Sequence, residues 1–416
     1  MSDREPSASS VAGERPLDRI AAVWRRIDPV DFFFRTLQGR IGAKRMAWVF
    51  LVPNLVIFAT FAFWPMILNF WMAFTGGTSA ILAERPFVGL ENFREILDCP
   101  SWVDPRGCPV VGYSFWTGLW NTLFFAAVQV PVMIFVATAT ALVLDREMKG
   151  RGFWRAVYFY PVMLSPVVVA VIWDWILKRR GILNALLGDL VDGWNAVASL
   201  PAAAGAIVFA ATFLVVVLVG RPVAARLGTA PAVARRFALV VGLVVAAVAT
   251  FAGRPWGFLV VDDFRPVNWL VDQRSGWPMF WAIFVYSWAH LGFYMLILLA
   301  GLQAIPRDLY EAAEMDGTSK TRQLFRITLP LLMPTMLVVV VLSLIRAFQV
   351  FDEIWVLTGG GPGQATKMIV QHIYETAFTG DAKRYGVAAA SSVLVAGVLL
   401  VLTLAQLFVT RRRARG

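Results

Sequence analysis

The chain contains eight stretches of at least 17 residues without a single Asp, Glu, Lys or Arg. These stretches are 46–83, 107–144, 156–173, 193–220, 237–253, 275–306, 327–345 and 385–410. About 20 apolar residues span the core of a bilayer as an α-helix, whereas a β-barrel would show alternating segments of about 10. Charged residues make up only 16% of the 416, too few to cover a soluble protein. The sequence therefore predicts an all-α membrane protein with about eight transmembrane helices.

Basic residues are concentrated in the two terminal segments and in alternate loops between the spans, all of which would lie on one side of the membrane. Nine Lys and Arg lie in the first 46 residues and four in the tail, and four more lie in each of 145–155, 220–236 and 304–326. The positive-inside rule places such segments in the cytoplasm. The basic run 178–180 would lie outside and opposes this orientation, but the agreeing segments outweigh it. We therefore predict that both termini are cytoplasmic.

The predicted orientation divides the chain into three parts. These are a cytoplasmic N-terminal arm (1–45), a transmembrane domain (46–410) and a basic cytoplasmic tail (411–416). The arm lacks the apolar core of a signal peptide. The loop 76–116 would lie outside and contains Cys99 and Cys108. The bacterial exterior is oxidising, so these two cysteines are candidates for a disulfide, with two free thiols as the alternative.

Motifs for chemistry within this chain are missing from the sequence. It contains no G-x-x-x-x-G-K-[ST], H-E-x-x-H, C-x-x-C or G-x-S-x-G. Its two histidines, His290 and His372, are far apart in the chain. We therefore expect a protein that is not an enzyme and that holds no cofactor or metal of its own. The basic isoelectric point of about 10.1 is attributed to lipid and membrane orientation rather than to nucleic acid.

Polar residues at membrane depth are costly and tend to face a cavity. The candidates are Asn121, Gln129, Asp174, Tyr286, His290, Arg346 and Gln349. For each of them, a hydrogen bond to a neighbouring helix is the alternative interpretation.

The cytoplasmic loop 304–330 is predicted to form two short helices around one turn. Residues 309–315 are strong helix formers, and Gly317 can adopt the left-handed conformation that ends a helix. The small side chains of Ala312 and Ala313 would let another protein surface approach closely. An ordinary amphipathic loop helix is the alternative.

This loop resembles the EAA motif of bacterial ABC importer permeases, written EAA-x3-G-x9-I-x-L-P. The matching residues are Glu311, Ala312, Ala313, Gly317, Ile327, Leu329 and Pro330. Other segments are similar to the maltose-permease-type subunits of carbohydrate importers, namely 121–123, 150–155, 300–306, 348–352, 357–362 and 373–378. The resemblance covers about 45–195 and 265–410.

The resemblance implies the type I ABC importer transmembrane fold with a six-span core. Residues 196–262 depart from that pattern, because their two charge-free stretches predict two inserted spans that the six-span pattern lacks. It implies a permease subunit in the bacterial inner membrane that translocates a sugar or sugar derivative. A periplasmic binding protein would deliver the solute. A second permease, embedded with this chain in the membrane lipid, and two copies of a cytoplasmic ATPase would complete the complex. ATP and Mg would be bound by the ATPase.

The resemblance also assigns roles to individual residues. The EAA residues would couple the chain to the ATPase. Alignment with the maltose subunit places eight residues near the substrate path, of which Val162, Pro166 and Ala289 are not polar. The five candidates for contact with the substrate are Tyr286, His290, Phe293, Arg346 and Gln349. Arg346 has two interpretations: it meets an anionic group on the substrate, or it forms a structural ion pair with Asp352 or Asp174.

Two other classes of function remain as alternatives. An ion-coupled secondary transporter would show inverted repeats and paired carboxylates, whereas this sequence shows no internal repeat and offers Asp174 without a clear partner. A non-transporting membrane assembly subunit would have no solute path. Uptake that depends on ATP, on an ion gradient or on neither separates the three classes.

Overall fold

The computed structural model describes residues 34, 37–39, 42–226, 231–253, 260–261, 264–272, 275–379 and 383–415. Within these residues the chain is almost entirely helical, and the only strand-like feature is an isolated bridge between Thr75 and Phe87. Most of the predicted arm 1–45 lies outside the described residues, as do residues 254–259 of the predicted insertion.

The described residues up to Met72 belong to one unit of the structure. Helix α1 (Ala43–Phe58) continues through a π-helical turn (Ala59–Phe63) into α2 (Trp64–Met72). The apolar span Trp48–Met72 has no buried residue within this chain. Such an exposed, charge-free and largely apolar surface is expected of a helix whose solvent is lipid.

Residues 73–416 form the second unit. Its helices in the first half are α3 Glu91–Leu97, α4 Val110–Asp145, α5 Arg151–Phe159, α6 Pro166–Leu177, α7 Ile182–Ala198, α8 Pro201–Arg226 and α9 Pro231–Gly253. Those in the second half are α10 Trp277–Gln303, α11 Asp308–Met315, α12 Lys320–Gln323, α13 Leu329–Phe348, α14 Asp352–Thr358, α15 Ile369–Phe378 and α16 Tyr385–Arg415. Short 3₁₀ turns lie at Leu82–Glu84, Pro105–Gly107 and Tyr160–Met163, and a π-helical turn at Leu324–Thr328 precedes α13.

Five helical segments of the described chain are long and apolar enough to cross a membrane, and a bent pair makes a sixth. The five are Trp48–Met72, Val110–Asp145, Trp277–Gln303, Lys320–Phe348 and Tyr385–Gln406. Helices α8 and α9 contain shorter apolar segments, Ala203–Val219 and Ala238–Val248. The multi-pass helical fold is confirmed, and the count of eight spans stays a prediction.

The stretch 156–173 does not form a single straight span, contrary to expectation. The chain bends by 99° between Arg151–Met163 and Pro166–Ala198. Prolines explain the break, because a residue before proline avoids the helical conformation and Pro166 follows Ser165 directly. The Ser165 hydroxyl accepts a hydrogen bond from the Val168 amide at 3.3 Å and caps the new helix α6.

Helices α4, α10 and α13 pack together around the main hydrophobic core. Its buried residues are Met133, Ala137, Ala141, Leu144, Tyr294, Met295, Leu298, Leu299, Leu302, Ile305, Leu332 and Val339. At Gly292 of α10, a Cβ atom would lie 2.3 Å from the Tyr158 carbonyl oxygen and 2.7 Å from the Phe159 Cα. Glycine at 292 therefore allows α5 to approach α10 backbone to backbone.

Helices α8 and α9, which correspond to the predicted insertion, pack mainly against each other. Small residues make their approach close: a Cβ at Gly205 would lie 3.3 Å from Thr250, and one at Gly242 would lie 3.1 Å from Phe213. Along the rest of the described chain, α7 is the helix that contacts α8 substantially. The pair is thus an addition at the side of the fold rather than part of its core.

The loop 76–116 is held by buried polar side chains. The Arg85 Nε donates to the Thr75 hydroxyl at 2.8 Å, and the Asn92 side-chain amide donates to the carbonyls of Ala73 and Thr75. Cys99 and Cys108 are joined by a disulfide. A cavity of about 350 Å³ lies between this loop and the start of α16.

Helix α15 is anchored through a buried histidine. The His372 Nδ1 lies 2.9 Å from the Ser114 hydroxyl of α4, and its Nε2 lies 3.2 Å from the Ser391 hydroxyl of α16. Burial, and then the positive charge of Lys367, lower the pKa of His372 from 6.5 to about 3. The imidazole is therefore neutral at physiological pH and ties three helices together.

We expect Gly292→Ala to destabilise the protein by about 1–3 kcal/mol or more, because the new methyl group must displace backbone atoms of α5. The matched control is Gly397→Ala in α16, where a Cβ meets nothing within 4 Å and the better helix propensity of alanine is favourable. Apparent melting temperatures in detergent compare the two. Equal melting temperatures for both variants would contradict this close approach.

We expect His372 to make the protein acid-sensitive. Between pH 6.5 and 3 the unfolded chain binds a proton at this histidine while the folded chain does not, so stability falls as the pH falls below 6.5. A difference of 1.36 kcal/mol per pKa unit gives a loss of about 2 kcal/mol at pH 5. The melting temperature of His372→Gln should fall less between pH 7.5 and pH 5 than that of the wild type. An equal fall in both proteins would exclude His372 as the cause.

Candidate functional site

The predicted loop 304–330 forms a short helix, a tight turn and a second helix. Asp308 and Glu311 lie in the first turn of α11, where acidic side chains favour the positive end of the helix dipole. Gly317 has a φ of +68°, and the amide of Thr318 donates to the Ala313 carbonyl at 2.9 Å. These bonds close the end of α11 and require glycine at 317.

The second half of the loop is fixed to the first by side chains. The Tyr310 hydroxyl lies 3.0 Å from the Thr328 hydroxyl, and the buried Gln323 amide donates to the Thr318 carbonyl at 3.3 Å. Glu314 and Lys320 form an ion pair across the turn. The loop is therefore a fastened unit, and its Tyr310–Thr328 contact was not foreseen from the sequence.

The residues of the EAA motif take different positions on this unit. Ala313 is buried, whereas Glu311 and Ala312 are exposed. Ile327 lies in the π-helical turn, and Leu329 and Pro330 begin α13.

Large apolar side chains on the loop are exposed. Met315 is 89% exposed and Phe325 is 63% exposed, and Leu309 on α11 is exposed as well. Large exposed apolar side chains on one short loop are candidates for contact with another protein.

A second site lies at the middle of α10. The rings of Tyr286 and His290 stack with their centroids 4.2 Å apart, and the Nδ1 of His290 lies 3.0 Å from the Tyr286 carbonyl oxygen. Phe125 of α4 packs edge-on against Tyr286. Tyr286 is buried, and His290 is partly exposed.

Glu353 is the residue of this site that the sequence did not reveal. It lies in the first turn of α14 and is only 5% exposed. Its Oε1 lies 3.7 Å from the His290 Nε2. In the sequence it follows Asp352 directly, and nothing in that pair of acids indicates which one is buried.

Arg346 lies in the last turn of α13 and is exposed. Its charge acts electrostatically on Glu353 and Tyr286. Within the described part of the chain, no carboxylate lies within 4.0 Å of its guanidinium, and Asp174 pairs with Lys178 at 2.9 Å instead. The expected structural ion pair of Arg346 with Asp352 or Asp174 is therefore not formed.

Phe293 and Gln349 lie near this cluster in sequence and are exposed. Phe293 is 40% exposed and lies about one turn beyond His290 on α10. The backbone amide of Gln349 donates to the Arg346 carbonyl at 3.1 Å, and the residue is exposed. Phe293, Arg346 and Gln349 thus expose one aromatic ring, one guanidinium and one amide.

Two other polar candidates have structural roles. The Asn121 side chain donates to the carbonyls of Gln364 and Lys367 at 2.8 and 3.0 Å and so fastens the loop before α15. Gln129 is buried and accepts from the Ser343 hydroxyl at 3.4 Å. Both side chains therefore bond to a neighbouring element, which is the alternative that the sequence left open for them.

Two helices connect the loop with the second site. Helix α10 carries Tyr286 and His290 and ends at Gln303, directly before the loop, and α13 leaves the loop and carries Arg346 near its far end. At 1.5 Å per helical residue, the two sites are separated by roughly 20–25 Å.

Several known proteins are similar to this chain in sequence or in fold. Residues 220–414 match the family "Binding-protein-dependent transport system inner membrane component". The trehalose/maltose transport system permease protein MalF of Thermococcus litoralis is 29% identical over 91% of this chain and 98% of its own length. The sn-glycerol-3-phosphate transport system permease protein UgpA of Salmonella typhimurium is 25% identical over 88% of this chain and 93% of its own.

The solved structures include a similar fold. A chain of a bacterial ABC transporter involved in the import of the acidic polysaccharide alginate superimposes with a TM-score of 0.60 and 21% identity, covering 91% of this chain and 99% of that one. The likeness shows that the folds agree over almost the full length of both chains.

The fastened loop with its EAA residues lies within the matched region, and the helices around it have the fold of an ABC importer permease. Residues 220–414 therefore match the inner membrane components of binding-protein-dependent transport systems, and the chain as a whole is similar to permease proteins of such systems.

Proposed function

We propose that this permease translocates a sugar or sugar derivative and is driven by ATP hydrolysis on partner subunits. The observation that carries the proposal is the fastened loop 304–330, which exposes Glu311, Ala312 and Met315 and joins the two helices of the second site. The names of the relatives support a carbohydrate or polyol solute.

In this proposal α11 is the coupling helix and lies in a groove of a cytoplasmic ATPase, which binds ATP and Mg. The chain itself would have no ATPase site. Two ATPase copies would close on ATP, and the motion of α11 would be transmitted through α10 and α13. The bonds Tyr310–Thr328 and Gln323–Thr318 support this role, because they prevent the loop from absorbing the motion.

The solute would pass between this chain and a second permease, beside Tyr286, His290, Phe293, Arg346 and Gln349. Hydroxyl-binding donors and acceptors together with an aromatic ring suit a sugar. The relevant groups are the Gln349 amide, the Arg346 guanidinium and the Phe293 ring, which are exposed in this chain. A periplasmic binding protein would deliver the solute to the outer loops, among them 76–116, and both termini would lie in the cytoplasm.

We expect Glu311→Lys to abolish ATP-driven uptake while the protein stays in the membrane, because it reverses the charge on the exposed face of α11. Gly317→Pro should have the same effect, since proline cannot adopt the φ of +68° found there. Uptake in a strain that lacks the chromosomal copy, and co-purification of the ATPase, are the two measurements.

The matched control is Glu147→Lys, the same charge reversal at an exposed residue of another predicted cytoplasmic loop. It should retain most of the uptake and all of the ATPase. Normal uptake by Glu311→Lys would refute the coupling role. Uptake that collapses with an ion gradient but survives ATP depletion would instead favour a secondary transporter, and no role in uptake would favour an assembly subunit.

A further inference from the structure

Chargeable side chains on three helices restrict the solute that the proposed path can accept. His290 of α10 lies 3.7 Å from the buried Glu353 of α14, and the charge of the exposed Arg346 of α13 acts on Glu353. The inference below rests on the proposed transport function and concerns the chemical class of the solute.

The contacts of His290 determine where its protons lie. A carbonyl oxygen only accepts hydrogen bonds, so the Nδ1 that lies 3.0 Å from the Tyr286 carbonyl carries a hydrogen. In a neutral imidazole the Nε2 then has only a lone pair. This Nε2 faces the Glu353 Oε1 at 3.7 Å, so two acceptors would oppose each other.

One additional proton relieves this opposition. It can lie on Nε2, which gives an imidazolium–carboxylate pair, or on the carboxyl group of Glu353. In both arrangements the His290–Glu353 pair has no net charge. Without that proton the pair carries one negative charge, which is costly for a carboxylate that is 5% exposed.

The surrounding groups leave one cation without a close partner. On α6, which packs against α14, Asp174 is paired with Lys178. Asp352 is exposed at the start of α14, where the helix dipole favours its charge. Tyr286 and Tyr294 of α10 contribute phenols. The exposed guanidinium of Arg346 has no carboxylate within 4.0 Å in the described chain.

We propose that the solute is an acidic sugar derivative whose carboxylate or phosphate is bound by Arg346, and that Glu353 is a positioning residue that acts through His290. A guanidinium matches either anion with two parallel hydrogen bonds. The protonated pair keeps the carboxylate of Glu353 from repelling the anion. Affinity for the acidic solute therefore decreases as the pH rises and the pair loses its proton.

The test uses the purified complex of this chain with its second permease and ATPase, in lipid nanodiscs and without a binding protein. The probes are three matched pairs: glucuronate and glucose, galacturonate and galactose, and mannuronate and mannose, with glucose 6-phosphate for the phosphate group. Tryptophan fluorescence titrations measure the affinities, and melting temperatures show that each variant is folded.

In the wild type, at least one acidic probe should bind at least tenfold more tightly than its neutral counterpart. Arg346→Gln should remove most of this preference, and Arg346→Lys should retain part of it because it keeps the charge. The matched control is Arg94→Gln, which removes an exposed guanidinium on α3 of the outer loop and should leave the preference unchanged.

Glu353→Gln tests the positioning role through the pH dependence of the affinity, which a purely structural role of Glu353 would not change. It should bind the acidic probe with an affinity that no longer decreases between pH 6 and pH 8, whereas the wild-type affinity decreases. An unchanged pH profile in this variant would remove Glu353 from the proposal.

The remaining outcomes distinguish failure of the acidic-solute proposal from failure of the proposed transport function. Equal binding of neutral and acidic probes by the wild type would overturn the acidic solute and leave the sugar path in place. Binding of none of the probes would contradict the acidic solute as well. If Glu311→Lys also transported normally, the proposed function itself would fail.

Discussion

The lipid environment is the constraint on which the structure depends, because each backbone amide and carbonyl in it must find a partner within the protein. The charge-free stretches satisfy this requirement as helices. The non-helical segments between the helices are held by side chains instead. Arg85 and Asn92 bond the carbonyls and hydroxyl of residues 73–79, and Asn121 bonds two carbonyls of the loop before α15.

The same constraint separates the polar side chains of the helices into two groups. Asn121, Gln129 and His372 are used within the fold, each on a group of a neighbouring element. Arg346 and Gln349 are exposed, and neither side chain bonds such a group among the residues that the structure describes. An ionisable residue in a membrane-spanning segment is by default a candidate for function, and this contrast is the reason to connect Arg346 with the solute.

Much of the fold could be predicted from the sequence, because the length of a charge-free stretch shows whether it can cross the bilayer as a helix. The exceptions have local causes. The stretch 156–173 is as apolar as the others, but Pro161 and Pro166 bend it by 99°. The two inserted helices contain apolar segments of their own, so composition alone does not distinguish a short helix pair at the side of the fold from two complete spans.

The sites were only partly predictable for a different reason. The EAA residues lie at fixed spacing within one loop, so a linear pattern is sufficient to find them. Glu353 and His290 are 63 positions apart in the sequence, and only the packing of α14 against α10 brings them together. The Tyr310–Thr328 contact likewise depends on how the turn at Gly317 folds back, which spacing does not specify.

The contact between α10 and α13 explains why a loop at one end of these helices can affect residues at the other. At Gly301 of α10, a Cβ would lie 2.7–2.9 Å from atoms of the Thr335 side chain of α13, so the two helices approach each other closely beside the loop. Farther along, Leu298, Leu332 and Val339 are fully buried between them and α4. Closely packed cores shift between discrete arrangements rather than deform gradually. Under the proposed function, a displacement of α11 would therefore move α10 and α13 together. The stacked Tyr286–His290 pair and Arg346, which these helices carry, would move with them.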